Sequence, residues 1–331
     1  MPLPISVRGK VIVDGPLVVP SFSSKALPRT SVDTTLRRTA NFIVSPVLIS
    51  AYDIVHHDVD LDLLDVPLII VDSGGYETLV DEESRRKGGL TEHAALPWSA
   101  EMYAETLTGL RSKASVIAVS YDRTWLSVGE QINAALEARD GRAGNAFLLK
   151  PRAEEILTIE SLRDHIGELD GFDLVGVTEK EAGSSFMERL VFIGRLRALM
   201  DERGVTKPIH VFGGLDPLMT PLYFLAGADV VDGLSWLRFA FGRHGAQYLP
   251  AYAALTDAAA SLQDFEWKIR RANYGVAVGM QNAFRRFRTD GRYEAFSADG
   301  EATKVLAGIH ATLLEALDAS GSSSAFQPET D

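Results

Sequence analysis

Short and almost continuously apolar segments recur along the chain, separated by stretches that are long enough for a helix. Those of strand length are residues 41–49, 66–71, 115–120, 145–149, 172–177, 208–212 and 228–231. Continuous apolar runs, as opposed to alternating ones, are typical of strands buried on both faces of a parallel sheet. The pattern therefore predicts a parallel sheet that is covered on both faces.

Amphipathic segments of helix length lie between most of these runs. They span residues 100–110, 128–138, 186–203 and 217–226, and Gly227 is a predicted C-cap of the last. Alternating strands and helices indicate βαβ units with right-handed crossovers. Seven strands, and an eighth that the pattern does not locate, predict an α/β fold of the (β/α)8 TIM-barrel type in a single domain. A doubly wound sheet is the competing arrangement.

The composition is that of a globular protein, since 46% of the 331 residues are hydrophobic and 24% are charged. Residues 319–331 are small and mostly polar, which predicts a disordered tail after a barrel domain of residues 1–318. The first residues lack the apolar core of a signal peptide, and no apolar run is long enough to cross a bilayer. We therefore expect a cytoplasmic protein with no membrane partner.

The charge balance limits the partners. With 45 acidic and 33 basic residues the formal net charge is −12, so the overall field repels nucleic acid. Basic residues gather late in the chain, at Arg238, Arg243, 268–271 and 285–288. This local reversal of sign indicates a phosphate site or, for residues 285–288, equally a helix C-terminus that complements its own dipole. A polyanionic substrate would have to be held by a local basic patch or by a partner.

Cysteine is absent, which excludes disulfides, thiol nucleophiles and thiolate zinc sites. The run from His56 to Asp62 looks like a metal-binding segment, but its adjacent histidines point in different directions and no partner pair lies at ligand spacing elsewhere. We interpret it as a solvated acidic loop and expect no metal. His210 lies inside an apolar strand and is interpreted as a satisfied interior histidine.

Polar and glycine residues follow many of the predicted strands, as at Asp72, Asp122, Lys150, Gly213 and Asp232. The carboxyl ends of barrel strands converge on one mouth, where active sites lie. The glycine pairs at 74–75 and 213–214 lack the spacing of a dinucleotide or phosphate-loop motif, so no cofactor is expected.

Asp72, Asp122 and Asp232 would be partly desolvated near the barrel axis. One carboxylate as nucleophile and another as proton shuttle is the arrangement that glycosyl chemistry requires. The alternative is that each aspartate caps a helix or closes a turn. Tyr76 and Phe212 lie in similar turns, and they either stack on a planar ligand or belong to the core.

Three segments carry a family resemblance. Residues 72–76 read Asp-Ser-Gly-Gly-Tyr, residues 207–213 read Lys-Pro-Ile-His-Val-Phe-Gly, and residues 227–232 read Gly-Ala-Asp-Val-Val-Asp. They resemble, in this order, three segments of the tRNA-guanine transglycosylases: the D-S-G-G-[FY]-Q motif, a strand leading to a glycine turn, and the G-[IV]-D-[ML]-F-D segment. Weaker likeness extends the resemblance over most of residues 8–290.

The resemblance implies a barrel enzyme that exchanges guanine in a nucleic acid for a 7-deazaguanine base such as preQ0, preQ1 or queuine. By position, Asp232 would be the nucleophile that forms a covalent glycosyl-enzyme intermediate. Asp72 would be the general acid/base, and Asp122 would bind the donor edge of the base. Base contacts are also implied for Ser73, Tyr76, Gly176, Phe212 and Gly213. Phosphate contacts are implied for Arg238 and Arg243.

The chain departs from the family in three places. Family members usually carry a C-x-C-x-x-C…H zinc site after the seventh strand, and a chain without cysteine cannot build this subdomain; residues 243–268 are also short for it. Glu77 stands where the motif has glutamine. Lys150 stands where a glutamine-glycine pair helps to hold the base, and it would instead pair with a carboxylate or bind a phosphate. We expect a zinc-free member, as compatible with a DNA-modifying relative as with a tRNA enzyme.

Three functions are therefore open. The first is base exchange on tRNA or DNA with a free 7-deazaguanine base. The second is a non-catalytic or partner-dependent subunit, which the charge of −12 favours, with a basic partner protein or a homodimer supplying the grip on nucleic acid. The third is a hydrolase or transferase of free nucleosides, which explains the acidic charge but leaves Arg238 and Arg243 with structural roles only.

Overall fold

Eight parallel strands close into a barrel, which confirms the (β/α)8 fold over the doubly wound sheet. The structure is a computed structural model that describes residues 2–27, 31–75, 96–139, 141–153, 155–242, 245–256, 261–297 and 299–319. The barrel strands are β3 (Leu17–Phe22), β4 (Val47–Ser50), β5 (Leu68–Asp72), β6 (Ser115–Val119), β7 (Gly144–Leu149), β8 (Leu174–Thr178), β9 (Ile209–Phe212) and β10 (Val230–Gly233). Their order around the ring is β10-β3-β4-β5-β6-β7-β8-β9, and β9 pairs with β10.

The eighth strand, which the apolar pattern does not locate, is β3. It pairs in parallel with β10 on one side and β4 on the other, and so closes the ring. The predicted strand at residues 41–49 is shorter than expected, because only Val47–Ser50 joins the sheet. The residues before it form a turn in which the backbone N–H groups of Val44 and Ser45 donate to the Tyr274 hydroxyl at 3.0 and 3.2 Å.

Helices connect the strands on the outside of the barrel. They are α1 (Val32–Thr39), α2 (Ala51–His56), α3 (Ala100–Gly109), α4 (Val128–Glu137), α5 (Ile159–Leu162), α6 (Phe186–Glu202) and α7 (Met219–Ala226). Ser127 and Ser185 begin α4 and α6 with capping boxes. The predicted C-cap of α7 is confirmed, since Gly227 has a left-handed φ of 113°.

A hairpin of β1 (Ile5–Val7) and β2 (Lys10–Val13) covers the amino-terminal end of the barrel. Ile5 is buried in the same apolar cluster as the inward-facing Leu17, Leu68, Leu174 and Val230. The Leu3 N–H donates to Asp229 Oδ1 at 2.7 Å, and the Arg8 N–H donates to Asp173 Oδ1 at 3.0 Å. These contacts close one end of the barrel, so access to its interior is from the opposite mouth.

The chain after the barrel returns along its side. It forms α8 (Ser235–Arg238), β11 (Phe239–Gly242), β12 (Gly245–Tyr248), α9 (Leu249–Thr256), the long α10 (Leu262–Asp290) and α11 (Gly300–Ala319). Ala240, Leu249, Phe265 and Ile269 form a small apolar cluster between β11, α9 and α10. These elements occupy the part of the chain in which the tRNA-guanine transglycosylases, which the sequence resembles, usually carry a zinc site.

The basic residues 285–288 lie on α10, toward the amino-terminal end of the barrel. Arg285 donates to the carbonyl of Asp14, which precedes β3, and Arg286 donates to the carbonyl of Ala295. Phe287 between them is fully buried. The contacts of Arg285 and Arg286 support the structural interpretation of this cluster, because both side chains donate to backbone carbonyls of the protein itself.

The predicted domain boundary at residue 318 falls inside α11, which continues to Ala319. Residues 320–331 of the predicted tail lie outside the described residues. Among the helices of the described ranges, none is long and apolar enough to cross a membrane.

Asp229, just before β10, forms a buried ion pair whose loss should destabilise the fold. It is paired with Arg197 and accepts the Ile209 N–H at 2.8 Å. We expect Asp229→Ala to lower the free energy of unfolding by about 3–5 kcal/mol, because Arg197 is left buried without its counter-ion. The control is Glu160→Ala, which removes the exposed carboxylate of a surface pair with Arg195 and should cost less than about 1 kcal/mol. Urea unfolding of both variants checks this, and equal losses would contradict it.

Candidate active site

A cavity of about 470 Å³ opens at the carboxyl ends of the barrel strands. Side chains from β3, β4, β5, β7, β9 and β10, and from the loops that follow β6 and β8, line it. The residues used below are Ser21, Ser50, Asp72, Asp122, Lys150, Phe212, Gly213, Asp232 and Arg238. The cavity therefore lies at the mouth where the sequence predicts a site.

Strand alternation explains why polar groups face this cavity. On β5, Leu68 and Ile70 point into the barrel, and Asp72 is the next inward position. On β10, Val230 points inward and Asp232 follows in the same way. Both strands thus place apolar side chains in the interior of the barrel and a polar side chain at the carboxyl end, which faces the cavity.

Asp232 is 4% exposed, and both of its carboxylate oxygens are hydrogen-bonded. Ser21 Oγ donates to Oδ2 at 2.5 Å. Oδ1 accepts the Gly213 N–H at 3.2 Å and lies 3.0 Å from His210 Nε2. Because a carboxylate oxygen accepts hydrogen bonds, we assign the donating hydrogen of this contact to His210 Nε2. Three donors therefore hold the carboxylate in one orientation at the cavity wall.

Asp72 ends β5, beside Ser50 of β4 in the parallel register. Its Oδ2 accepts the Gly74 N–H at 3.2 Å in a turn where Gly74 has a φ of 73°. A Cβ at Gly74 would be strained and would lie 2.7 Å from Tyr52 Cβ, so this turn requires glycine. Burial, and secondarily the Asp72 carboxylate, raise the pKa of Tyr103 well above its ordinary value.

Asp122, Lys150 and Glu181 form a buried charge cluster next to β6, the strand opposite β10 in the ring. Lys150 Nζ lies 3.1 Å from Glu181 Oε1 and 3.7 Å from Asp122 Oδ2. Burial works against the ammonium, but the two carboxylates outweigh it and raise the pKa of Lys150. Of the two alternatives for Lys150, the structure shows the carboxylate contacts, and phosphate binding stays a prediction.

One oxygen of the Asp122 carboxylate has no hydrogen-bond partner within the described structure. Burial raises the pKa of Asp122, although the Lys150 charge acts in the opposite direction. Its Oδ1 makes no hydrogen bond to any described residue. A buried acceptor without a partner is unfavourable, so this oxygen is a candidate acceptor for a donor from a ligand or from water.

The Phe212 ring forms one flat face of the cavity. It stacks on the His210 ring, with centroids 3.7 Å apart and planes inclined by 27°. A Cβ added at Gly176 would lie 2.5 Å from Phe212 Cε2, so glycine leaves the space that the ring occupies. Gly176 therefore supports Phe212 from behind. The expectation that Gly176 contacts a base stays a prediction.

The structure brings Asp72, Asp122, Asp232, Phe212 and Gly213 together around one cavity. Arg238 also lines the cavity, exposed beside the ring of Phe239. Ser73, which was expected to contact a base, is buried next to the cavity, where its carbonyl accepts the Trp98 Nε1–H at 2.9 Å. Tyr76, Glu77 and Arg243 lie outside the described residues.

Sequence reasoning misses three residues of this site: Ser21, Ser50 and His210. The first two continue inward positions, since Ser21 follows Val19 and Ser50 follows Leu48 at a spacing of two. That alternation is a signal that could have found them. His210 is an interior residue as expected, because it is fully buried, but it is satisfied only in part: Nε2 contacts Asp232 and Nδ1 has no partner among the described residues.

The run from His56 to Asp62 does not form the expected solvated loop throughout. His56 ends α2, and its ring lies 4.5 Å from that of Tyr52, while Val59 and Leu61 are buried. Within the described ranges, no group of three or more histidine, aspartate or glutamate side chains is placed to hold a metal ion.

No protein-family model matches the chain, and no curated protein sequence matches it significantly. A barrel alone does not identify a function, because the same fold supports many chemistries. Any functional proposal therefore depends on the chemistry of the cavity and on the three sequence motifs.

We expect Gly176→Ala to lower the free energy of unfolding by about 1–3 kcal/mol, because the new methyl group forces the clamped Phe212 ring to move. The matched control is Gly308→Ala on α11, where an added Cβ has no neighbour within 4 Å. That change should stabilise the helix by up to about 1 kcal/mol. Urea unfolding compares the two, and a Gly176→Ala variant as stable as Gly308→Ala would show that the ring is not clamped.

Proposed function

We propose that the protein is a nucleic-acid guanine transglycosylase, which exchanges a guanine for a 7-deazaguanine base through a covalent aspartyl intermediate. The observation that carries the proposal is the presence of Asp72, Asp122, Asp232 and Phe212 around one cavity. The exchange requires a nucleophile, a proton shuttle, an acceptor for the base edge and a stacking surface, and these four residues can supply them.

In the first step, a carboxylate oxygen of Asp232 attacks C1′ of the nucleotide. The C1′–N9 bond breaks, and its electron pair remains on the base. Asp72, in its acid form, gives a proton to the departing guanine, which leaves as a neutral molecule. The sugar is then joined to Asp232 through an ester-like C1′–O bond.

The second step reverses these changes with a different base. The Asp72 carboxylate takes the proton from N9 of the incoming 7-deazaguanine, and N9 attacks C1′. The C1′–O bond breaks, and its electron pair returns to the Asp232 carboxylate. Asp72 is again in its acid form, so no net proton is consumed in the exchange.

Recognition of the base is assigned to Asp122 and Phe212. Guanine and 7-deazaguanine both present adjacent N–H donors on one edge, and Asp122 Oδ1 is an acceptor that lacks a partner within the described structure. The Phe212 ring offers a flat apolar face for stacking. A base inside a duplex cannot reach this depth, so the nucleotide must be flipped out or come from a single-stranded loop.

The polymer would be held at the rim of the mouth. Lys25, Lys180 and Arg238 line the cavity, and they provide positive charge on a chain whose formal net charge is −12. Binding through so few cations is weak and sensitive to salt, which is why a basic partner protein or a second copy of the chain is compatible with the proposal.

The proposal is tested by incubating the protein with labelled guanine and either tRNA or duplex DNA at low salt. We expect incorporation of label into one of the two polymers and competition by unlabelled 7-deazaguanine bases. Label that enters neither polymer, together with cleavage of free guanosine or deoxyguanosine, would overturn it in favour of a nucleoside hydrolase. No turnover of any substrate, with or without a partner, would favour a binding subunit.

A further inference from the structure

We propose that His210 is a positioning residue for Asp232, which selects the carboxylate oxygen that bonds to the sugar and promotes the later release of that oxygen. The proposal rests on the proposed function. It concerns a residue that lies beneath the cavity and does not line it. His210 stands within the segment 207–213, but none of the roles that the resemblance implies falls on it.

The two oxygens of Asp232 are held differently. Oδ1 is bound by two fixed donors, the backbone N–H of Gly213 at 3.2 Å and the His210 Nε2–H at 3.0 Å. Among the described residues, Oδ2 is bound by Ser21 Oγ alone, a hydroxyl on a side chain that lines the cavity and can turn about its Cα–Cβ bond. Oδ2 can therefore exchange its partner for the substrate, so the geometry assigns it as the attacking atom.

The position of His210 is itself fixed. His210 is fully buried in β9, where it pairs in register with Val230 of β10 and with Gly176 of β8. Its ring stacks on Phe212, and the absence of a side chain at Gly176 makes room for that stack. The His210 imidazole thus contacts both the Asp232 carboxylate and the Phe212 ring. These two contacts fix the position of the nucleophile relative to the stacking ring.

The hydrogen bonding of His210 indicates that its role is to hold Asp232. Asp232 is the only charged group that the described structure places in hydrogen-bond contact with it. Nδ1 has no partner there, and a half-paired imidazole at the centre of a barrel is unfavourable for stability. The other ring nitrogen, Nε2, forms its hydrogen bond with the Asp232 carboxylate.

This contact matters most when the sugar leaves Asp232. In the covalent intermediate Oδ2 is bonded to C1′, and Oδ1 is a carbonyl oxygen. When the incoming base attacks, the C1′–Oδ2 bond breaks and negative charge returns to both oxygens. His210 and the Gly213 N–H already point at Oδ1, so they stabilise that developing charge without rearrangement.

The test compares His210→Phe with His210→Gln. Phenylalanine keeps a ring for stacking on Phe212 but has no donor, whereas glutamine restores an N–H donor at a similar reach. The covalent adduct is formed with a guanine-containing polymer, freed of base, and chased with guanine while its decay is followed. We expect His210→Phe to slow the decay by about 10- to 100-fold, the range of a hydrogen bond to a charged group, with the KM for guanine within about two-fold of the parent protein.

We expect His210→Gln to recover most of the decay rate. If His210→Phe does not fold, His210→Met takes its place, because methionine fills the space without a donor. Decay at the parental rate in the donor-less variant, or no recovery with glutamine, would overturn the positioning role while leaving the proposed function intact. Absence of any adduct in the unaltered protein would instead show that the proposed function fails, and the inference with it.

Discussion

Asp232→Asn should abolish base exchange, lowering its rate by about 10³-fold or more. The amide has the size of the carboxylate, and its oxygen can still accept from His210 and Gly213, so the fold should be retained. An amide is, however, a very poor nucleophile toward C1′, and no covalent intermediate can form at a useful rate. Incorporation of labelled guanine into the polymer measures the effect.

The matched control is Asp164→Asn, which changes the same functional group at an exposed position away from the mouth. We expect it to retain the parental rate. An Asp232→Asn variant whose exchange rate stays within about tenfold of the control, with an unchanged melting temperature, would show that Asp232 is not the nucleophile.

Asp72→Asn should slow exchange by about 10²- to 10⁴-fold, the usual contribution of a positioned acid or base. The departing guanine then receives no proton from the enzyme, and the incoming base keeps its N9 proton. The amide in this variant would preserve the size of the side chain and its contact with the Gly74 N–H, so binding of the polymer should change little.

The role of Asp72 can be separated from a merely structural one by changing the leaving group. A 7-methylguanine in the polymer carries a positive charge and departs as a neutral base without being protonated. We therefore expect adduct formation from this substrate to be nearly as fast in Asp72→Asn as in the parent protein. Equal impairment with guanine and 7-methylguanine would contradict an acid role for Asp72.

The sequence is sufficient to predict the barrel and the three aspartates at its mouth. Buried parallel strands appear as continuous apolar runs, and the carboxyl ends of such strands meet, so Asp72, Asp122 and Asp232 are expected at one place. Strand β3 escapes this reasoning because Pro20 interrupts its apolar run, and proline is unusual within a paired strand. Ser21, the partner of Asp232 Oδ2, is missed for the same reason.

The contacts that tune the site depend on pairings between distant strands. His210 meets Asp232 only because β9 and β10 are adjacent in a particular register, and apolar periodicity does not show which inward position reaches which neighbour. Lys150 meets Glu181 across β7 and β8 in a similar way. A polar residue inside an apolar strand is therefore better regarded as a possible part of the site whenever an inward aspartate lies on the following strand.

The positions of the basic residues restrict the part of the surface at which a nucleic acid would be bound. Arg285 and Arg286 donate to backbone carbonyls, Arg285 to that of Asp14 at the closed end of the barrel, whereas Lys25, Lys180 and Arg238 line the open mouth. The acidic remainder of the surface repels a polymer, so contact should be limited to the nucleotide that enters the cavity and its nearest phosphates.

The covalent intermediate is the central claim, and a denaturing gel tests it most directly. The protein is mixed with end-labelled duplex DNA or tRNA that contains guanine, without free base, and the mixture is denatured before separation. We predict a labelled band at the combined mass of protein and polymer with one of the two polymers, its loss on addition of guanine, and its absence in Asp232→Asn. No labelled protein band with either polymer, or an equally strong band in Asp232→Asn, would contradict the account.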